Sequence, residues 1–299
     1  MIYLLLGVLF NVTIFLVFRA YAKYGIRTLP AIVVNYFVCI ITGLFFIGSL
    51  EPLTYIVEGK NWLWAGVFLG FIFIAVFYLM ALTTQKLSVT VSSISAKMSL
   101  AIPVLFSLFI FQIESKDFDW LNYLGIILAF LAIYLSSFKP KNKIADTPKA
   151  EFSWLTLLPV GVFLGSGLID TTINFTSYRF LTPREAAIFP IVIFGVAGII
   201  GIALLLIKSI PIGRKEWFGG ILLGVPNYFS VYFVVKGLAE FDNNGAYFYP
   251  ILNISIILGS SLAAVILFRE KLHKLNWLGL ALAVSAILLI SHQEILAFL

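Results

Sequence analysis

The chain has 299 residues, of which 61% are hydrophobic and 11% are charged, with a net charge of +6 and a mean hydropathy of +1.05. A soluble globular domain has about 45–50% apolar and about 25% charged residues, so this composition excludes such a domain and indicates a polytopic membrane protein. Two histidines and one cysteine exclude a zinc cluster, a haem pair and a disulfide framework.

Ten apolar stretches follow one another along the chain, each close to the roughly 20 residues that a membrane-spanning helix needs. They run over approximately 2–21, 29–50, 61–82, 88–111, 120–138, 153–177, 184–208, 216–237, 243–268 and 275–291. The longest connection, the basic segment 139–152, lies at the midpoint of the chain. The pattern predicts an all-α polytopic membrane protein in which 1–138 and 153–299 are two five-helix units joined by this linker.

The two units share a sequence pattern. Residues 121–137 and 275–291, which lie 154 residues apart, are identical at 10 of 17 positions. A small indel shifts the spacing to 156 before the fourth helix, where Lys97 aligns with Asn253. Because each unit has an odd number of helices, the second unit enters the membrane from the opposite side. The sequence therefore predicts two inverted five-helix repeats with a substrate site near the midplane between them.

Basic residues concentrate in loops on the cytoplasmic side of membrane proteins. The odd-numbered loops contain Arg19, Lys23, Arg27, Lys86, Lys139, Lys141, Lys143, Lys149, Lys208, Arg214, Lys215, Arg269, Lys271 and Lys274. The even-numbered loops contain Lys60, Lys116, Arg179, Arg184 and Lys236. This bias predicts cytoplasmic odd-numbered loops and extracytoplasmic termini. Short loops without sorting signals favour a bacterial-type cytoplasmic (inner) membrane.

Each unit ends with a loop glutamate, a short polar stretch and a helix that opens on an aromatic-Leu-Gly sequence, over 114–137 and 270–291. Together with 77–82 and 232–238, these segments resemble paired EamA domains of the drug/metabolite transporter superfamily. The resemblance covers nearly the whole chain.

This resemblance implies a ten-helix secondary transporter that works by alternating access. In the family, the first, third, fourth, sixth, eighth and ninth helices line a central cavity, and the fifth and tenth can pack between protomers of a homodimer. Members export amino acids or other metabolites, take up sugars, or exchange phosphorylated or nucleotide-linked compounds. Many members have cytoplasmic termini, whereas the charge bias of this chain predicts the opposite.

Two charged residues, Lys97 and Asp170, lie well inside the predicted spans. A charge at the centre of a membrane helix costs about 2.5–3.5 kcal/mol on insertion scales, so such residues usually face a water-filled cavity or each other. We expect Lys97 to anchor an anionic group, and Asp170 to bind a substrate ammonium or a coupling proton. The alternative is a structural ion pair that locks the two units together.

Uncharged polar residues in the spans supply the other candidates. Ser93 lies one turn before Lys97, and Asn253 lies one turn after Tyr249. The alternative role for such amides is helix-to-helix hydrogen bonding, worth about 0.6 kcal/mol on average in one helical bundle. The predicted substrate-binding residues are Lys97, Ser93, Asn253, Tyr249, Asn227, Tyr78, Tyr232, Asn11 and Asn174, with Asp170 as the coupling residue.

These features predict a secondary transporter, working as an exporter, for a small polar metabolite such as an amino acid. A lipid or amphiphile flippase and a sugar or phosphorylated-metabolite exchanger remain the alternatives. We do not expect an enzyme, because the histidines lie near the tenth helix without a matching catalytic constellation. No Walker lysine motif is present. The expected partners are the substrate, the lipid bilayer and protons as a candidate coupling ion, with no cofactor, metal or nucleic acid.

Overall fold

A computed structural model of the chain describes residues 2–48, 54–102, 119–137, 154–182, 185–241 and 245–298. All regular secondary structure in these residues is helical, which confirms the all-α prediction for them. The α-helices are α1 (Ile2–Tyr24), α2 (Thr28–Ile47), α3 (Thr54–Val57), α4 (Trp62–Lys86), α5 (Val89–Met98), α6 (Trp120–Ser136), α7 (Leu157–Arg179), α8 (Phe189–Ile207), α9 (Arg214–Glu240), α10 (Gly245–Phe268), α11 (Lys274–Ile290) and α12 (His292–Phe298).

Seven of these helices, α1, α2, α4, α7, α8, α9 and α10, are long and apolar enough to cross a membrane. A helix of 20 residues spans about 30 Å, the thickness of the hydrocarbon core. Helices α6 and α11 are apolar and 17 residues long, and α5 has 10 described residues. These helices make the chain a multi-pass membrane protein. The linker 139–152 and Glu114 lie outside the described residues.

Local hydrogen bonds account for several helix boundaries. The carboxylate of Asp119 accepts the backbone N–H groups of Leu121 and Asn122, so that α6 begins with a capped first turn. Ser88 caps α5 in the same way by accepting the N–H of Val91 at 3.0 Å. Helix α2 ends at Gly48, which has a φ of 68°, a conformation that glycine adopts without steric cost.

One end of the bundle gathers the connections after α1, α4, α8 and α10, and we call it the basic end. Arg27 lies in the first of these connections, and its Nε donates to Glu216 Oε1 at 2.9 Å in the first turn of α9. Glu270, which follows α10, accepts the N–H of Val89 at 3.1 Å at the start of α5. Alternate connections therefore lie at the same end, as successive helices that each cross the bundle require.

The other end of the bundle, which we call the opposite end, gathers the remaining described connections. Trp62 begins α4, and its indole Nε1 donates to Glu185 Oε1 at 3.0 Å in the connection between α7 and α8. His292 Nε2 lies 3.0 Å from Asp119 Oδ2, which brings the start of α12 next to the start of α6. Connections of the two chain halves thus meet at this end as well.

The main helix contacts join the two halves of the chain. Helix α1 packs on α9 and α10, while α7 packs on α4 and α5. Helix α2 packs on α9, α8 packs on α4, and α6 packs on α11. Each of these contacts has a counterpart in which the corresponding helices of the two halves exchange places, and the contact between α6 and α11 is its own counterpart.

Glycines permit the closest of these contacts. A Cβ at Gly70 would overlap Val196 of α8, and a Cβ at Gly224 would overlap Val38 of α2. Each contact joins the third long helix of one half to the second helix of the other half, so the two contacts are equivalent. Small residues let apolar helices approach closely and so increase the van der Waals attraction between them. This attraction matters in a membrane because the hydrophobic effect does not drive helices together in lipid.

Helices α6 and α11, which correspond to the fifth and tenth predicted spans, pack on each other within the chain. Asn122 Nδ2 donates to the carbonyl of Ile290 at 2.8 Å, and Asn276 Nδ2 donates to the carbonyl of Ser136 at 2.6 Å. Aromatic and aliphatic side chains on the outward faces of both helices remain exposed, among them Tyr134.

Candidate functional site

A cavity of about 100 Å³ lies at the centre of the bundle, among α1, α4, α5, α7, α9 and α10. In chain order these helices correspond to the first, third, fourth, sixth, eighth and ninth predicted spans. Most of the lining is apolar. The polar side chains that line the cavity are Asn11, Lys97, Ser166, Asp170, Asn227, Ser230, Tyr249 and Asn253.

Lys97 reaches the cavity from the last turn of α5. Its Nζ donates to Asn11 Oδ1 of α1 at 3.3 Å. Its backbone carbonyl accepts a hydrogen bond from Asn253 Nδ2 of α10, also at 3.3 Å. Two helices from different parts of the chain therefore hold the lysine, one through the ammonium and one through the backbone. An ammonium has three donors, so Lys97 can also bind an acceptor in the cavity.

Asp170 faces the cavity from α7, and its Oδ2 accepts a hydrogen bond from Ser99 Oγ at 3.0 Å. Lys97 and Asp170 lie close enough to interact electrostatically, but these two described side chains form no direct ion pair. Each has a neutral partner instead. Both side chains are enclosed by helices and keep part of their surface open to the cavity. The cavity therefore presents one basic and one acidic group that remain available to a ligand.

Helix α5 ends beside this cavity. The N–H of Leu100 donates to Lys97 O at 3.4 Å, and the N–H of Ile102 donates to Ser99 O at 2.8 Å. Both bonds span three residues, the tighter spacing of a turn at Ser99–Leu100, after which Ala101 and Ile102 are again helical. Pro103, which follows in the sequence, has no backbone N–H and cannot donate a helical hydrogen bond. The polar backbone at this helix end is accommodated because it lines a cavity.

Two polar atoms of the lining have no hydrogen-bond partner among the described residues: Asn227 Oδ1 and the Tyr249 hydroxyl. Asn227 is fully buried, and its Nδ2 donates to Asn35 Oδ1 at 3.1 Å, which fixes the amide with Oδ1 as the free acceptor. Tyr249 is 7% exposed. An unpaired buried polar group costs about 1–3 kcal/mol, so both atoms carry an uncompensated cost in this conformation.

Aromatic rings form one wall of the cavity. Phe73 and Phe77 of α4 line it with their ring centroids 5.6 Å apart, and Phe15 of α1 lines it as well. This wall provides apolar surface beside the two charged side chains. A ligand with polar groups at one end and an apolar group at the other matches this arrangement.

The structure brings six of the predicted site residues together around the cavity: Asn11, Lys97, Asp170, Asn227, Tyr249 and Asn253. The other four lie elsewhere. Ser93 is fully buried and donates to the carbonyl of Thr90 within α5. Tyr78 is 38% exposed on α4, and Asn174 of α7 is half-buried and does not line the cavity. Tyr232 stacks on Tyr228 and lies outside the cavity lining.

Three serines at the site were not predicted: Ser99, Ser166 and Ser230. Ser166 lies one turn before Asp170 on the same helix face, so the sequence contained a signal for it. Ser230 donates to the carbonyl of Asn227 at 2.8 Å and lines the cavity beside it. Ser99 appears in the sequence only as the repeat partner of Ser255, and its contact with Asp170 depends on how α5 ends.

A second pocket of about 250 Å³ lies at the basic end, lined by Arg19, Ser88, Glu270 and Asn276, among other residues. Burial raises the pKa of Glu270, while the hydrogen bond from Val89 and the charge of Arg19 oppose that increase. Arg19 Nε lies 3.5 Å from Glu270 Oε1. Glu270 thereby joins the end of α1 to the start of α5 at the basic end.

Comparisons with known proteins bear on the fold. No family model matches the chain. An uncharacterized protein of Haemophilus influenzae is 26% identical to it over 293 residues, which cover 95% of each chain. A crystal structure of a protein with 12% identical residues superimposes with a TM-score of 0.55 and covers 95% of each chain. At this identity the likeness shows a shared fold.

Proposed function

We propose that the protein is a secondary transporter for a small zwitterionic metabolite, such as an amino acid, which binds in the central cavity. The observation that carries the proposal is the pair of Lys97 and Asp170, which line one cavity without neutralising each other directly. Burying two charges inside an apolar bundle is costly, and a ligand with both signs of charge would offset that cost.

The charge balance also narrows the class of ligand. A carboxylate would bind the ammonium of Lys97, and a substrate ammonium would bind Asp170. The aromatic wall with Phe73 and Phe77 would contact an apolar side chain. A phosphorylated ligand brings extra negative charge towards Asp170, so this lining favours an amino acid over the phosphorylated-metabolite exchanger.

We further propose that the chain consists of two inverted five-helix repeats of the EamA type. Equivalent contacts support this arrangement: Gly70 meets Val196 as Gly224 meets Val38. The helices around the cavity are those that the EamA resemblance implies. Alternating access would then open the cavity first at one end of the bundle and then at the other, as rigid halves rock around the site.

In this proposal the basic end faces the cytoplasm of a bacterial-type inner membrane, and both termini lie outside. The described residues of the basic end include Arg19, Lys23, Arg27, Lys86, Lys208, Arg214, Lys215, Arg269, Lys271 and Lys274. The described basic residues of the opposite end are Lys60, Arg179 and Lys236. This distribution supports the orientation through the positive-inside rule. We propose protons as the coupling ion, taken up by Asp170, and export as the direction.

A ligand panel tests the proposed function. The purified protein in detergent is heated with each of the natural amino acids, and the best stabiliser is compared with its amide and its deaminated acid. We expect stabilisation by the zwitterion and little by either analogue, because each analogue leaves Lys97 or Asp170 without a charged partner. Asn174→Ala is the matched control, since Asn174 lies outside the cavity lining. Equal stabilisation by all three compounds would contradict the proposal.

A further inference from the structure

Ser99 is placed to respond to the charge of Asp170. Its Oγ lies 2.6 Å from the carbonyl of Ala96 and 3.0 Å from Asp170 Oδ2. Both distances fit a hydrogen bond, but a serine hydroxyl has one proton to donate. The hydroxyl can therefore donate to only one of these two oxygens at a time.

The protonation state of Asp170 decides between the two. When the carboxylate is ionised it accepts hydrogen bonds only, so the Ser99 proton points to Oδ2. When Oδ2 carries a proton, it donates to Ser99 Oγ, and the hydroxyl proton turns to the carbonyl of Ala96. The step involves one added proton on Oδ2 and a rotation of the serine hydroxyl, and no other bond changes.

The Ala96 carbonyl depends on this hydroxyl because α5 ends here. In a continuing helix the N–H of Leu100 would bond to Ala96 O, but it donates to Lys97 O at 3.4 Å instead. Ser99 is thus the side-chain partner of Ala96 O, in the turn that carries Lys97. When the Ser99 hydroxyl donates to Ala96 O, it stabilises the end of α5 that positions Lys97. When the hydroxyl donates to Asp170 instead, that stabilisation is lost.

We propose that Ser99 is a positioning residue that couples protonation of Asp170 to the last turn of α5. Protonation of Asp170 caps Ala96 O and stabilises the Lys97 turn, and deprotonation withdraws that cap. This inference rests on the proposed function for its meaning in transport. The hydrogen-bond switch itself can be measured without a substrate.

The other described groups near Asp170 do not form a hydrogen bond with its carboxyl group. Lys97 on α5 and Tyr249 on α10 are the titratable side chains that interact with Asp170 electrostatically. Helix α4, which packs on α7, contributes apolar side chains such as Val76 and Phe77 to the cavity. Among these described neighbours, Ser99 is the side chain hydrogen-bonded to Asp170.

Infrared difference spectroscopy of the full-length protein in lipid tests the proposal, with protons as the only ligand. The carboxylic acid band of Asp170, assigned by its absence in Asp170→Asn, is followed from about pH 4 to about pH 9. Removing a donor to the ionised form in Ser99→Ala should move the midpoint to higher pH by about one unit and shift the frequency of the band. Ser99→Thr, which keeps the hydroxyl, should restore both values.

Ser255→Ala is the matched control, because Ser255 is the repeat partner of Ser99 on α10. It should leave the Asp170 band unchanged. An unchanged midpoint in Ser99→Ala, or no titration of Asp170 over this range, would overturn the inference. A transport assay with amino acids on the same samples separates the two proposals. If the Asp170 midpoint shifts in Ser99→Ala as expected but the wild type transports no amino acid, only the proposed function is refuted. If the wild type transports amino acids but the Asp170 midpoint is the same in Ser99→Ala, only the Ser99 switch is refuted.

Discussion

Asn122 and Asn276 make the same hydrogen bond from the two sides of one helix pair. Asn122 of α6 donates to the carbonyl of Ile290 at the end of α11, and Asn276 of α11 donates to that of Ser136 at the end of α6. Both the donors and the acceptors lie 154 residues apart. A spacing that recurs in donors and acceptors alike is what two repeats related by a two-fold axis would produce.

This equivalence predicts equal effects of equivalent substitutions. Asn122→Ala and Asn276→Ala should each lower the unfolding free energy by about 0.6–2 kcal/mol, because each leaves a carbonyl without its interhelical donor. Thermal unfolding in detergent measures the loss. Ser285→Ala is the control, since Ser285 is exposed and bonds only within its own helix. A clear loss in one asparagine variant and none in the other would contradict the equivalence.

The glycine contacts predict that Gly→Ala substitutions lower the thermal stability at some positions and not at others. Gly70→Ala and Gly224→Ala should lower the melting temperature, because the added methyl group overlaps Val196 or Val38. A helical glycine without such a contact behaves differently. Gly195→Ala has open space around its Cβ and should be neutral or stabilising by up to about 1 kcal/mol, the usual helix preference for alanine. Stabilisation by all three substitutions would show that α4 and α9 do not approach α8 and α2 this closely.

Two glutamates in the connections between helices, Glu270 and Glu185, predict opposite dependences of stability on pH. Burial raises the pKa of Glu270, so its contribution to stability is fully present below its ordinary pKa and is lost as pH rises through the raised value. Glu185 is also buried, but hydrogen bonds from Thr182 and Trp62 hold its pKa below the ordinary range. Its contribution is present above the ordinary pKa and is lost as pH falls through the lowered value.

Melting temperatures of the wild type, Glu270→Gln and Glu185→Gln between about pH 4 and about pH 8 measure these contributions. The stability advantage of the wild type over Glu270→Gln should shrink as pH rises. Its advantage over Glu185→Gln should grow as pH rises. Parallel curves for all three proteins would mean that neither carboxyl group differs in pKa between the folded and unfolded states.

The charge bias predicts the orientation in the membrane. Cys39 is the only cysteine in the sequence and is fully buried, so introduced cysteines can be labelled against a low background. In intact bacterial cells a membrane-impermeant maleimide should label Glu58→Cys at the opposite end and not Lys271→Cys at the basic end. Both variants should be labelled after lysis, which shows that both sites are accessible. Labelling of Lys271→Cys in intact cells would place the basic end outside.

The sequence predicted the helices well because a span is defined by its apolar length. The bounds of α1, predicted as 2–21 and observed as Ile2–Tyr24, show the accuracy of that signal. It predicted the direction of side chains less well. Helix α4 is apolar on all sides, so nothing in its pattern shows that Phe73 and Phe77 face the cavity while Tyr78 faces outwards.

Charged residues gave the most direct signal for the site, because a buried charge needs a polar environment. Lys97 and Asp170 both line the cavity. Spacing gave a weaker signal: Ser93 lies one turn from Lys97, but the cavity does not extend along α5 to it. The contact of Ser99 with Asp170 depends on a turn at Ser99–Leu100, which interrupts the predicted span 88–111 after Met98 and before the helical residues Ala101 and Ile102.

The most direct test of the proposed function is amino-acid exchange in proteoliposomes. Liposomes loaded with the amino acid that best stabilises the protein should take up its radiolabelled form faster than protein-free liposomes. Lys97→Met should reduce exchange about tenfold or more, the loss expected when a charged hydrogen bond to the substrate is removed, and Asn174→Ala should exchange like the wild type. Exchange that is absent in the wild type, or equally fast in Lys97→Met, would contradict a transporter that binds a zwitterion at Lys97 and Asp170.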